Sequence, residues 1–362
     1  MIWYFLKKLD WVMVVSIFLL CLIGLTSIFS TSFNKDKTFF IKQAIFIVAG
    51  FFLMLVLAFL DYRFFRNHPS LLLALYILSV LLLAILLLLG IKTRGAVSWF
   101  RIGPINFEPV EFAKLVMILI LAQYFSLRHI ELYRLIHIVI SGVYIGIVAL
   151  LVFFQPDLGS AMVLVFLWLG TMIIAGIKLR QLLLLLLLGI IIFSIAWFVI
   201  LKPYQKDRIT SFINPYLDPK GSGYHRIQSM IAIGSGRLWG RGLGQGTQSQ
   251  LNFLPEQHTD FIFASIAEEW GFVGVALVFV FYFLLFWRTI KIALSATNNF
   301  ARLFCVGWAV VLIFHIFVNI GTNLGLLPIA GISLPFISYG GSNLLINFIA
   351  LGMVQSISIR NK

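Results

Sequence analysis

Apolar runs close to 20 residues long recur along the whole chain, at 11–29, 40–60, 71–90, 108–126, 135–154, 158–176, 181–201, 261–287, 303–323 and 341–359. A helix rising about 1.5 Å per residue needs about 20 apolar residues to cross a hydrocarbon core about 30 Å thick. These runs do not alternate apolar and polar residues as membrane barrel strands do. The pattern predicts an all-α, polytopic membrane protein with about ten transmembrane helices, built as a single transmembrane domain over 1–362. Between the fifth and sixth runs, Gln155-Pro156 ends one helix before Asp157 opens the next. Proline lacks the amide hydrogen a helix interior needs, and Asp accepts from the first free amides of a helix. Spans five and six therefore read as a tight hairpin.

One gap breaks the rhythm. Residues 202–260 form a large loop between the seventh and eighth spans, with glycines at 234, 236, 240, 242, 244 and 246. Glycine permits tight turns and close backbone approach, and long ordered loops in compact proteins are usually functional. The isoleucines and Met230 around 227–233 predict a short amphipathic helix lying on the bilayer.

Basic residues set the orientation. Lys7, Lys8, Arg63, Arg66, Arg128 and Arg134, with those at 178–180, 288–302 and 360–362, fall on one side. That bias predicts cytoplasmic N- and C-termini and places 202–260 outside the cell. The first apolar run reads as a retained span rather than a cleaved signal. Composition agrees: 61% of the 362 residues are hydrophobic and 11% charged, against about 25% charged in soluble domains. The net charge of +14 then reflects topology and an anionic lipid bilayer, and nucleic acid is not an expected partner. Cys21 and Cys305 both fall inside spans and give no disulfide framework.

Four Gly-, Pro- or polar-rich segments reach the outer face under this topology: 91–114, 155–157, the loop up to Asp260, and 328–343. Irregular backbone at membrane depth must pack in protein or line a watery cavity, so these segments predict one outward-facing polar cavity. Glu111 and Lys114, three apart on one helix face, read either as a structural ion pair or as a substrate contact. Asp260 stands where the loop becomes a span. It reads as a helix N-cap or, given water and a ligand cavity, as a general base. His258 is a candidate proton relay. Arg208, Arg226, Arg237 and Arg241, with Lys202 and Lys206, offer cations for a phosphate or diphosphate beside glycine amides. No Walker lysine follows the glycines, no Cys/His spacing marks zinc and no Gly-x-Ser-x-Gly elbow is present. Glu268 and Glu269, about 12–13 Å further along the eighth span, are expected to pair with other spans.

Together, GAVSWFRIGPINFEPVEFAKL at 95–115, FFQPDLGSAMV at 153–163, the stretch 208–269 and GLLPIAGISLPFISYGGSN at 325–343 resemble the SEDS family (shape, elongation, division and sporulation). The run GQGTQSQLNFLPEQHTDFIF is similar to its elongation-type members. The chain departs from the family's common pattern at Ser98, where Arg is frequent, and at Glu108-Pro109-Val110-Glu111, where Gln-Pro-Ser-Glu is frequent.

The resemblance implies a ten-helix peptidoglycan glycosyltransferase of the bacterial inner membrane that polymerises lipid II during cell elongation. It implies lipid II and the growing glycan strand as substrates and a class B penicillin-binding protein as partner. It puts the catalytic aspartate on Asp260, a motif tryptophan on Trp99, and a buried Glu/Lys pair on Glu111 and Lys114. Trp99 reads equally as a sugar-stacking residue or an interfacial anchor. A divalent cation, Mg²⁺ or Mn²⁺, could neutralise the diphosphate, as could the loop cations; no organic cofactor is expected. The rival classes are a lipid II flippase, for which the halves show no convincing inverted repeat, and a non-catalytic scaffold for the penicillin-binding protein.

Overall fold

The computed structural model describes residues 7–32, 37–90, 98–103, 105–128, 134–199, 203–214, 221–251, 253–254 and 256–361. Ten of its helices are long and apolar enough to cross a membrane. They are α1 (Trp11–Ser32), α2 (Thr38–Phe59), α4 (Pro69–Leu89), α5 (Pro109–Arg128), α6 (Leu135–Phe154), α7 (Leu158–Ala175), α8 (Leu179–Val199), α12 (Ile262–Ser295), α13 (Asn299–Asn323) and α14 (Gly341–Arg360). Shorter helices are α3 (Arg63–Asn67), α9 (Pro203–Ile213), α10 (Ser222–Gly236) and α11 (Thr247–Gln250). Strands β1 (Phe100–Ile102) and β2 (Ile105–Phe107) form an antiparallel hairpin ahead of α5, with Phe100 opposite Phe107.

Polarity decides which spans sit inside. α5, α13 and α14 carry Glu111, Lys114, His315, Asn319, Asn323, Asn343, Asn347 and Gln355, all buried. Polar groups in hydrocarbon need protein partners, so these helices form the centre. α8 is dominated by Leu and Ile and contributes no buried residue; lipid suits most of its surface. Close approach in the membrane depends on small residues. A Cβ on Gly352 of α14 would stand 2.7 Å from the Met54 carbonyl of α2, which explains how tightly those helices pack.

The hairpin expected at 155–157 is present. α6 ends at Phe154, and Asp157 caps α7 by accepting the Ser160 amide at 3.0 Å. α12 is longer than expected, running 34 residues to Ser295, with non-helical dihedrals at Gly271. The helix expected around 227–233 is α10, with Met230 and Ile231 exposed. It packs on α12, burying Ser229 and Ala232, and the Ser229 hydroxyl donates to the Asn323 carbonyl of α13.

The glycine-rich segment after α10 is bound to α12 by its backbone. The Phe272 and Val273 amides donate to the Arg237 and Leu238 carbonyls, and the Arg241 and Gly242 amides to the Glu268 and Glu269 carbonyls. Gly240 lies at φ +78°, where an added Cβ would meet the Glu269 carbonyl at 2.1 Å.

Two buried carboxylates complete this attachment. Glu268 accepts the Gln248 and Ser249 amides at 2.8 and 3.0 Å. Glu269 accepts the Ser30 hydroxyl of α1 and the Gly244 amide. The expectation that both acids pair with other spans holds for Glu269 alone. Glu268 spends its oxygens on the loop, whose free amides cluster at the start of the four-residue α11.

At the opposite end of the bundle, Arg288 Nε donates to Asp10 at 2.8 Å. The Asp10 amide in turn donates to Gln355 Oε1 at 2.9 Å.

Candidate active site

A cavity of about 340 Å³ opens where the irregular segments converge. Its walls include Lys42 of α2, Trp99 and Glu108 flanking the hairpin, Glu111 and Lys114 of α5, Asp157, Glu256, Asp260, His315 of α13, and parts of 330–343. All four segments expected at one cavity contribute to its wall, and among the described residues the long loop does so through Glu256, Thr259 and Asp260.

Asp260 is held from behind through its backbone. Its carbonyl accepts Asn319 Nδ2 at 3.0 Å and Asn323 Nδ2 at 2.9 Å. Asn323 Oδ1 then accepts the Ala264 amide at 3.1 Å, so a neighbouring helix satisfies one of the first free amides of α12. The cap position of α12 is Phe261, which corrects the N-cap reading of Asp260. The preceding turn is clamped as well: Ser338 Oγ donates to the Thr259 carbonyl at 2.7 Å, and the Tyr339 amide to the His258 carbonyl at 2.8 Å. Gly331, at φ +68°, passes so close that its Cβ would stand 3.9 Å from Asp260 Oδ2. Rigid second-layer support of this kind fixes the direction of a reactive side chain.

Lys114 Nζ lies 2.7 Å from Glu111 Oε1 and 3.3 Å from His315 Nε2. An ammonium can only donate, so Nε2 is the acceptor and the imidazole proton sits on Nδ1, 3.3 Å from the Ser333 carbonyl. The chain Glu111–Lys114–His315–Ser333 joins α5, α13 and the segment before α14 along the cavity wall. Above it, burial first, then Glu111 and Asp157, push the Glu108 carboxyl up to about 8, with Lys114 and the Trp99 hydrogen bond opposing. Burial also raises Asp157, against its hydrogen bonds to Ser160.

The expected site residues divide. Asp260, Trp99, Glu111 and Lys114 line one cavity. Arg226, Arg237 and Arg241 do not. Arg226 donates to the Phe212 and Gly325 carbonyls and stacks on Phe212. Arg237 ends α10 with an exposed side chain. Arg241 donates to Thr247 Oγ1 at 3.1 Å. These guanidiniums serve the loop or face outward, which corrects their grouping around a diphosphate. The Arg208 side chain and Lys202 lie outside the described residues. His258 is also off the cavity wall: its Nδ1 is 3.0 Å from Thr31 Oγ1 and its ring lies 5.1 Å from that of Phe39.

Lys42 was missed by sequence reasoning, although a charge inside the apolar run 40–60 is itself a signal. Among the described residues, no three His, Cys, Asp or Glu side chains converge to hold a metal ion.

A membrane bundle with five carboxyl groups, two ammonium groups and an exposed aromatic in one end cavity is the class of molecule that fold and site define. The chain belongs to the FtsW/RodA/SpoVE family of cell cycle proteins, whose model matches residues 7–362. It is 38% identical over 316 residues to the peptidoglycan glycosyltransferase MrdB of Escherichia coli K12, covering 87% of this chain and 84% of that one. It is 36% identical over 360 residues to the stage V sporulation protein E of Bacillus subtilis, covering 96% of each. Among solved structures, a chain of a peptidoglycan synthase complex described as coordinating polymerization and crosslinking matches with TM-score 0.83 at 34% identity, over 98% of both chains. The rod shape determining protein RodA of Thermus thermophilus matches with TM-score 0.72 at 30% identity, over 97% of this chain and 96% of that one.

Proposed function

We propose that Asp260 is the general base of a glycosyl transfer carried out in this cavity. Family membership and the activity named for MrdB make the chain a peptidoglycan glycosyltransferase, polymerising glycan during cell elongation. The substrate is lipid II, bound twice in the first turn; the growing strand then takes one of the two places. Asp260 removes the proton of the acceptor GlcNAc 4-hydroxyl as that oxygen attacks C1 of the donor MurNAc. Undecaprenyl diphosphate leaves, and the anomeric centre inverts. A diphosphate is already a good leaving group, so one carboxylate suffices where glycoside hydrolysis needs a second as acid.

The observation that carries this reading is the placement of Asp260 in one cavity with Trp99, Lys42 and Lys114. Trp99, 40% exposed, offers a face for a sugar ring. Lys42 takes the diphosphate charge that the loop arginines are not placed to meet. Asp260 or Glu256 on the cavity wall would be the residues to hold a divalent cation, which would supply charge neutralisation at the diphosphate. The cavity faces the outside of the inner membrane, with both termini cytoplasmic, and a class B penicillin-binding protein crosslinks the product.

Purified native protein and Asp260→Asn are compared for polymerisation of labelled lipid II, with the penicillin-binding partner, with and without chelator. Glycan ladders from the native protein and a rate lowered about 10²–10⁴-fold in the variant are expected. Equal ladders from both overturn the base assignment. Silence of the native protein in every condition overturns the enzymatic reading in favour of transport or scaffolding.

A further inference from the structure

Among the described residues, five carboxyl groups line the cavity, Glu108, Glu111, Asp157, Glu256 and Asp260, against two ammonium groups, Lys42 and Lys114. Were all ionised, the five acids less the two cations would leave three negative charges facing an anionic diphosphate. Three of the acids have evident work: Glu111 pairs with Lys114, Asp157 caps α7, and Asp260 is the base. Glu108 takes no part in the transfer as derived so far, yet its position is closely determined. The β1–β2 register sets Phe100 opposite Phe107, so the next residues outward, Trp99 and Glu108, also stand opposite each other. The Trp99 indole, whose nitrogen can only donate, lies beside the Glu108 carboxyl and opposes its protonation. The Glu108 amide donates to Ser342 Oγ at 3.0 Å, fixing the residue to the first turn of α14.

We propose that Glu108 is a substrate-contacting residue whose carboxyl, oriented by Trp99, donates a hydrogen bond to a diphosphate oxygen of the lipid-linked substrate. With one oxygen turned to the indole, the carboxyl presents its O–H to the cavity that both residues line. A proton held there supplies a donor and removes one of the three excess charges. Burial, then Glu111 and Asp157, keep that proton on the group up to about pH 8, while Lys114 opposes and is committed to Glu111. The other titratable or charged groups facing this space are Lys42, Asp260, Glu256, His315 and Tyr339. The inference rests on the transfer taking place in this cavity.

The test measures KM for lipid II from pH 6 to 9.5, and product inhibition by undecaprenyl diphosphate, in native protein, Glu108→Gln and Glu108→Ala. In the native protein, KM climbs above pH 8, by about tenfold per unit, as the donor ionises and repels the substrate. Glu108→Gln keeps a donor that cannot ionise, so it rescues the loss seen in Glu108→Ala and abolishes the alkaline rise. Glu108→Ala weakens lipid II and undecaprenyl diphosphate alike, by about 5–20-fold. An alkaline rise in Glu108→Gln equal to the native one overturns the proposal. So does a Glu108→Ala variant that weakens lipid II but leaves diphosphate inhibition unchanged, because the contact is then to sugar. Asp260→Asn run alongside separates the two readings. Normal ladders from that variant overturn the base assignment, while its silence combined with a native-like Glu108→Gln profile overturns the role of Glu108 alone.

Discussion

Replacing Lys114 by Met tests whether the Glu111–Lys114 pair is held by its own geometry. The atoms are 2.7 Å apart and both side chains are under a tenth exposed. At an effective dielectric constant near 20 the gross attraction is about 6 kcal/mol, offset in large part by the desolvation of both ions. Lys114→Met leaves Glu111 uncompensated and deprives His315 Nε2 of its donor. Removing one partner of a buried pair typically costs about 3–5 kcal/mol, which in a chain of this size lowers Tm by about 4–7 °C. Glu111→Gln with Lys114→Met removes both charges, and most of that loss should return because a neutral amide needs no counter-ion. The assay is thermal unfolding of detergent-solubilised protein for both single variants and the double variant, with glycan ladders measured on each. A double variant as unstable as the sum of the singles refutes the reasoning, since a coupled pair must show a non-additive cycle. A double variant that folds like the native protein yet makes no glycan moves the pair from scaffold to substrate contact.

Asn323→Ala deletes donors to the Asp260 and Asn319 carbonyls and the acceptor of the Ala264 amide. It should destabilise by about 2–4 kcal/mol and slow transfer more than tenfold, read by melting curves and ladder intensity. Gly240→Ala places a Cβ against the Glu269 carbonyl at positive φ; the strain, about 1–3 kcal/mol, should loosen 236–251 and speed limited proteolysis there. Glu108 holds its proton to about 8, above its ordinary 4.5. The native state therefore binds more protons between those values, and stability should fall as pH climbs from about 4.5 to about 8. Glu108→Gln should flatten that part of the Tm profile.

The spans were legible because hydrocarbon enforces one rule on every helix that crosses it, and the 155–157 turn because proline forbids continuation. Glu111, Lys114 and Asp260 were legible because irregular or charged residues next to apolar runs need a cavity or a partner, whereas Trp99 was legible only through the family resemblance. The loop arginines misled for a physical reason. Closeness in sequence and like charge suggest a common ligand, whereas Arg226 is used to hold carbonyls of distant segments and Arg241 a hydroxyl within its own loop. The backing of Asp260 was hidden because Asn319 and Asn323 sit in an otherwise apolar span about 60 residues away. Only packing shows that both amides reach one carbonyl. Lys42 was overlooked because the surrounding helix is mostly lipid-facing.

The ties of Asp10 have a consequence for how the molecule is made. α1 is the first of the described spans to leave the ribosome, but Asp10 bonds residues 278 and 345 positions later, and Ser30 bonds Glu269. At roughly 5–20 residues per second, the first helix waits on the order of 15–70 s for the last of these partners to be synthesised. During that interval Asp10 is without its guanidinium and α1 is without its loop, so a chain stalled before α14 carries a visible mark of incompleteness at its very first span. Membrane insertion proceeds from the N-terminus, while closure of the bundle is reserved for the finished polypeptide.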